Sequence, residues 1–219
     1  MTSLAAIRPA APRQTVQVSF GNGDLYEGPL GAPLRDFVRA AYPNPSEPIV
    51  AAVLNGELAP LTQPILRDAE ARLIDTASMD GMRIYQRSLT FLLVTAVHEL
   101  YPGARILNDH SVTLGGFFCQ VIGRPLVSAQ ELAAIEARMR EIVARDEPIT
   151  GECLPVDEAI ALFEALGYED KVRLLRFREE RTIHIYRLRG VPDYFYGYMM
   201  PSTGDLGGFS LELYPPGFI

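Results

Sequence analysis

The spacing of apolar and polar positions changes period several times along this chain, and each change marks an element. Val16-Gln-Val-Ser-Phe20 alternates with period two, the pattern of a half-buried strand. Gly21-Asn22-Gly23 follows and supplies the positive backbone angles of a hairpin turn. Leu34, Phe37 and Val38 recur at helical spacing, predicting a helix over 33–41 that Tyr42-Pro-Asn-Pro45 ends. Ile49–Leu54 is apolar throughout and reads as a central strand. Asn55-Gly56 turns the chain, and residues 71–74 form a short closing strand. Strands, one helix and further strands packed on it make a β-grasp order.

The helical period returns after residue 85. Leu89, Leu92, Leu93, Ala96, Val97 and Leu100 form one apolar stripe, stopped by Tyr101-Pro-Gly103. Strands are predicted over 104–107 and 116–121. Ser128-Ala-Gln-Glu131 is a capping box that opens a helix running to about residue 144. A second helix over 155–166 starts at a proline and ends at Gly167. Residues 181–189 alternate as a strand.

Composition narrows the function classes. With 219 residues, 48% hydrophobic and 21% charged, the chain can bury a real core in one or two domains. The net charge is −7, spread as 6 basic against 9 acidic residues up to Asp80 and 14 against 18 beyond it. Mild acidity in both halves opposes nonspecific attraction to a polyanion, although the arginines could still cluster into a local groove, so nucleic-acid binding stays open. The most apolar stretch, 91–97, is interrupted by Thr95 and followed by His98 and Glu99, so no membrane partner is expected. Residues 1–14, with Pro9 and Pro12, read as a disordered leader. Cys119 and Cys153 lack any paired spacing, which argues against a disulfide scaffold or a structural zinc. A cytoplasmic location is expected.

Little conventional chemistry is encoded. A phosphate-cradling loop needs Gly-x-x-x-x-Gly-Lys-Ser/Thr, but the sole lysine, Lys171, follows Tyr168-Glu-Asp170. This chain is therefore not itself a kinase. Neither His-x-x-x-His nor Cys-x-x-x-His occurs. His98 and His184 are read as ordinary surface or core histidines.

Several longer segments resemble a known family. The run from Val53-Leu-Asn-Gly-Glu to Ile65-Leu-Arg-Asp68 is similar to the TGS domain of threonyl-tRNA synthetase. Asp80-Gly-Met-Arg-Ile-Tyr-Gln-Arg-Ser88 looks like the exit from that domain, and Tyr85-Gln-Arg-Ser-Leu-Thr-Phe-Leu-Leu93 like the start of the editing domain. Glu158-Ala-x-x-Leu-Phe-x-x-x-Gly167 and Asp170-Lys-Val-Arg-Leu-Leu175 resemble a later part of it. The resemblance implies an α+β protein: a TGS-like β-grasp domain over 15–77, a linker over 78–84 and an editing-like α+β domain over 85–219.

In that family two helical histidines face a hydrolytic cleft, and a Cys-x-x-x-His pair completes it. The matching positions here hold Arg87, Phe91, Phe195 and Met199. Arginine stays protonated, and phenylalanine and methionine transfer no proton, so water activation is lost. His110-Ser-x-x-x-Gly-Gly-Phe-Phe-Cys119, Pro201-Ser-Thr-Gly-Asp-Leu206 and Tyr214-Pro-Pro-Gly-Phe-Ile219 look in turn like the front part of bacterial nucleoside kinases. That likeness implies a fused uridine-kinase-like domain after Ile219.

Candidate cleft residues follow from this reading. Arg87 either binds a phosphate or carboxylate or makes a structural ion pair. Phe91 and Met199 mark the vacated histidine positions. Asp109 and His110 either line the cleft or stabilise a turn. Tyr196, with Tyr194, Phe195 and Tyr198, either stacks on a base or packs in a strand. Cys119 reads as a buried small hydrophobe or a nucleophile. The expected function is a noncatalytic binding or regulatory region for a nucleoside kinase, without a cofactor, taking a nucleoside, nucleotide or amino acid. The alternatives are a trans-acting deacylase using His110 with Cys119, and an RNA-binding module.

Overall fold

The computed structural model describes residues 11–112 and 116–219, and the chain divides into two compact units between Asp75 and Thr76. The first unit is built from β1 (Thr15–Phe20), β2 (Leu25–Pro29), α1 (Leu34–Ala41), β3 (Ile49–Leu54), β4 (Glu57–Pro60) and β5 (Ala69–Asp75). They form one sheet of order β2-β1-β5-β3-β4, with β1 and β5 parallel and the other neighbours antiparallel. The strand alternation explains the layering: Val16, Val18 and Phe20 turn inward onto Leu34, Phe37 and Val38 of α1. Gly28 of β2 is required there, because a Cβ would lie 2.7 Å from Cζ of Phe37. Asn55 (φ 52°) and Gly56 (φ 91°) make the tight β3–β4 turn.

The apolar β3 is an interior strand paired with β4 and β5, as its unbroken apolar run predicts. One expectation for this unit needs correction. The leader ends sooner than residue 14: Arg13 pairs with Asp68 at 2.6 Å and the Gln14 carbonyl accepts from Leu30 N–H. Residues 1–10 lie outside the described part of the chain.

The second unit opens with α2 (Met79–Leu100), followed by β6 (Arg105–Ser111), β7 (Phe117–Ile122), α3 (Ala129–Ala144), β8 (Ile149–Pro155), α4 (Val156–Ala165) and α5 (Glu169–Leu175). β9 (Thr182–Leu188), β10 (Val191–Tyr194), β11 (Leu213–Tyr214) and β12 (Gly217–Phe218) complete it. The expected linker over 78–84 is instead the first turns of α2, with the Ser78 side chain capping Gly81 N–H at 3.1 Å. Both halves of the Ser128–Glu131 capping box are present at the start of α3. One sheet has the order β10-β9-β8 and another β11-β12-β7-β6. Helices α4 and α5 cover one face of the first, packing Phe163 and Leu175 on Ile183 and Ile185. The opposite face, by alternation, carries His184 and Tyr186. The overall class is α+β, with the β-grasp unit first.

Candidate functional site

The four positions singled out by their lost chemistry meet in space. Arg87 and Phe91 are four residues apart on α2 and so share a face. Phe195 and Met199 lie in the segment after β10, which leaves the sheet at Tyr194 and doubles back over α2. The rings of Phe91 and Phe195 are 5.3 Å apart between centroids. Phe91 is fully buried and Met199 nearly so. The returning segment is pinned by Ser88, which donates to the Ile84 carbonyl and accepts the Met200 N–H, both at 2.9 Å. The Met199 sulfur lies 3.6 Å from the same hydroxyl.

Arg87 does not make the structural ion pair weighed for it. Its Nη1 donates to the backbone carbonyl of Tyr198, and no carboxylate pairs with it among the described residues. Burial pulls this guanidinium's pKa below the usual value. Gly197, at φ +105°, lies flat over the group, such that a Cβ there would sit 3.0 Å from Cζ, Nη1 and Nη2. The Gly197 carbonyl in turn accepts from the Tyr186 hydroxyl at 2.7 Å. Burial drives that phenol up to about 12, so it stays a donor. Arg87 thus clasps the loop through the Tyr198 carbonyl and the flat face of Gly197.

The remaining candidates separate from this cluster. Asp109 and His110 are exposed on β6, the edge of the other sheet, with Asp109 Oδ2 3.1 Å from His110 Nδ1. His110 leans on the Phe118 ring, while the Cys119 thiol donates to the Phe117 carbonyl. Burial raises that thiol's pKa to about 11, which makes Cys119 the inert hydrophobe rather than a nucleophile. Tyr196 projects outward, 79% exposed, beside Arg178. The aromatic group was expected within a strand; β10 ends at Tyr194 and the other three rings lie beyond it.

Two features escaped the sequence reading. Lys171 pairs with Asp193, a residue only 2% exposed, and this buried pair ties α5 to β10. Burial pushes the Asp193 carboxyl up, and Lys171 pulls it back. Cys153 and His184 face each other across β8 and β9, with Sγ 3.5 Å from Nδ1. Neither pair has a spacing signal, because each joins residues 22 or 31 positions apart. Among the described residues no cluster of three or more His, Cys, Asp or Glu side chains could hold a metal ion, and no helix is long and apolar enough to cross a membrane.

No protein-family model matches the chain. Curated proteins similar to it include the threonine–tRNA ligase of Acidiphilium cryptum, 32% identical over 84% of this chain and 28% of the relative. The Rhodospirillum rubrum enzyme of the same name is 31% identical over 88% of this chain and 30% of its own length. That of Acidithiobacillus ferrooxidans is 34% identical over 74% and 25%. The chain thus spans less than a third of the length of these relatives, none of which is a kinase. Over most of its length it is similar to the TGS and editing-type α+β region of threonyl-tRNA synthetases.

Proposed function

We propose that this chain is a noncatalytic binding module derived from a synthetase editing region. The observation that carries the reading is the placement of Arg87, Phe91, Phe195 and Met199 where α2 meets the 195–200 segment, since none of these side chains can activate water. Hydrolysis of an aminoacyl ester needs a base within reach of a water and a place for the ester beside it. Here the 195–200 segment lies against the helix face that would supply the base, and Arg87 on that face donates to a backbone carbonyl. In its finer form the module serves a nucleoside kinase domain joined after Ile219, in the cytoplasm, and binds a nucleoside, nucleotide or amino acid with no cofactor of its own.

A second reading, a trans-acting deacylase with relocated chemistry, has one observation in its favour: the thiol–imidazole contact of Cys153 and His184. His110 with Cys119 is a poorer version, since the thiol is buried and bonded elsewhere. A deacylation assay on mischarged tRNA separates the readings. The expected result is no turnover above the uncatalysed rate. Turnover abolished by Cys153→Ser, His184→Gln or His110→Ala would replace the noncatalytic reading with the enzymatic one.

A further inference from the structure

Cys153 and His184 form a built pair rather than a chance contact. They are register partners on β8 and β9, and both are exposed. The imidazole is held from two sides. Its ring packs on Tyr186 at 4.7 Å between centroids, and its Nε2 sits over Gly151, where any Cβ would collide with it. Partial burial lowers the imidazole's pKa, which keeps the ring neutral and able to accept a proton near pH 7.

Beside the His184 ring opens a cavity of about 270 Å³, walled by His184, Tyr186, Tyr194, Phe195, Tyr196 and Tyr198. The other titratable groups around it are the tyrosines of this wall, Glu180 at its edge, and Arg87 of α2, which faces Tyr186. Glu152 and Arg187 alternate to the opposite face of the sheet and pair with each other at 2.6 Å. No charged side chain therefore competes with Cys153 for the imidazole among the described contacts.

We infer that Cys153 and His184 form a thiol–disulfide exchange site for small disulfides, with the aromatic cavity receiving the group carried on one of their sulfurs. This goes beyond the binding-module reading and does not depend on it. In the step, Cys153 Sγ attacks one sulfur of R–S–S–R and its proton passes to Nδ1 of His184. The S–S bond of the small disulfide breaks and a Cys153–S–R bond forms. The departing thiolate takes the proton from His184 and leaves as R–SH. The small disulfide is reduced and Cys153 is oxidised to the mixed disulfide, so no further oxidant is needed.

The experiment follows release of thiopyridone when the intact chain reacts with dithiodipyridine. One thiol should react fast, and Cys153→Ser should abolish that phase while Cys119 reacts only on unfolding. At about pH 6.5, His184→Gln should slow the fast phase roughly tenfold, whereas near pH 9.5, where hydroxide replaces the imidazole as proton acceptor, the two chains should converge. Tyr196→Ala should cost the aromatic disulfide rate but leave the rate with hydroxyethyl disulfide unchanged. Equal fast rates for the parent chain and His184→Gln at pH 6.5 would overturn the site. Equal loss with both disulfides in Tyr196→Ala would overturn the role of the cavity. Neither result bears on tRNA deacylation, so failure here is distinguishable from failure of the binding-module reading.

Discussion

The β-grasp unit and the editing-like unit solve the burial problem differently. Among the described residues, the core of the first is wholly apolar, from Val16 and Val18 to Leu34 and Ile65. Among the described residues, every buried polar or charged residue lies in the second unit: Thr76, Ser88, Thr95, Asp193, Ser202 and Thr203. Three of them tie elements or strandless chain together. Ser88 holds Met200, Thr203 donates to the Ile142 carbonyl and accepts from Glu147 N–H, and Asp193 is bonded to Lys171. A sheet with one helix satisfies its backbone mainly through ladders, with exposed side chains such as Asp68 on Gln17 N–H and Asn55 on Glu70 N–H helping at its margins. A loop folded back over a helix does not, and so recruits side chains for the purpose. The segment after β10 is held to α2 and α3 by the Ser88 and Thr203 hydroxyls.

That contrast implies two currencies of damage, polar in one unit and volumetric in the other. Lys171→Met should be the most disruptive single change, at about 3–5 kcal/mol, because it strands a buried carboxylate. Burial already raises the Asp193 pKa, and a carboxyl with a raised folded pKa favours folding at low pH and loses that contribution as pH rises. The variant's penalty in urea unfolding should therefore shrink as the solution is acidified; a pH-independent penalty would remove Asp193 from the explanation. Leu34→Ala, at a fully buried site in the first unit, should cost about 2–5 kcal/mol through lost contacts and a cavity. A penalty of this kind should show no such pH trend, which is the cleanest test of the contrast.

Smaller effects probe the clasp itself. Ser88→Ala leaves the Met200 N–H without its acceptor and should cost about 1–3 kcal/mol. Hydrogen exchange at Met200 should accelerate while amides of β1 and β5 keep their protection. Gly197→Ala should cost about 1–2 kcal/mol from its left-handed backbone alone, with an added steric part against Arg87. In a double-mutant cycle with Arg87→Ala the steric part should vanish and the backbone part remain. An additive cycle would mean that the glycine does not pack on the guanidinium.

How much of this was legible beforehand differs with the kind of signal. Periodicity located α1, β3 and α3 closely, because one buried face writes a repeating pattern into the residues that form it. The i, i+4 spacing likewise placed Arg87 and Phe91 on one helical face. β8 was missed, since only Ile149 of its residues is buried and no alternation survives in Thr150-Gly-Glu-Cys153. The reading of residues 78–84 as a linker failed because Ser78 caps a helix whose first turns contain a glycine and little apolar periodicity. The sequence left Tyr196 between stacking on a base and packing in a strand; the fold places it beyond β10, exposed and lining the same cavity as His184.

By itself the sequence determined the element types, the absence of water-activating groups at four positions and the acidic, lysine-poor character of the chain. Those properties belong to single residues or to short repeats, and short-range spacing carries them. Only the tertiary structure decided that the 195–200 segment would return to α2, bringing Phe195 against Phe91 and Arg87 onto the Tyr198 carbonyl, and that Cys153 would meet His184. Both outcomes depend on strand register and on a loop returning from β10 to α2. Register and loop return are set by the packing of the whole unit, which no local pattern records.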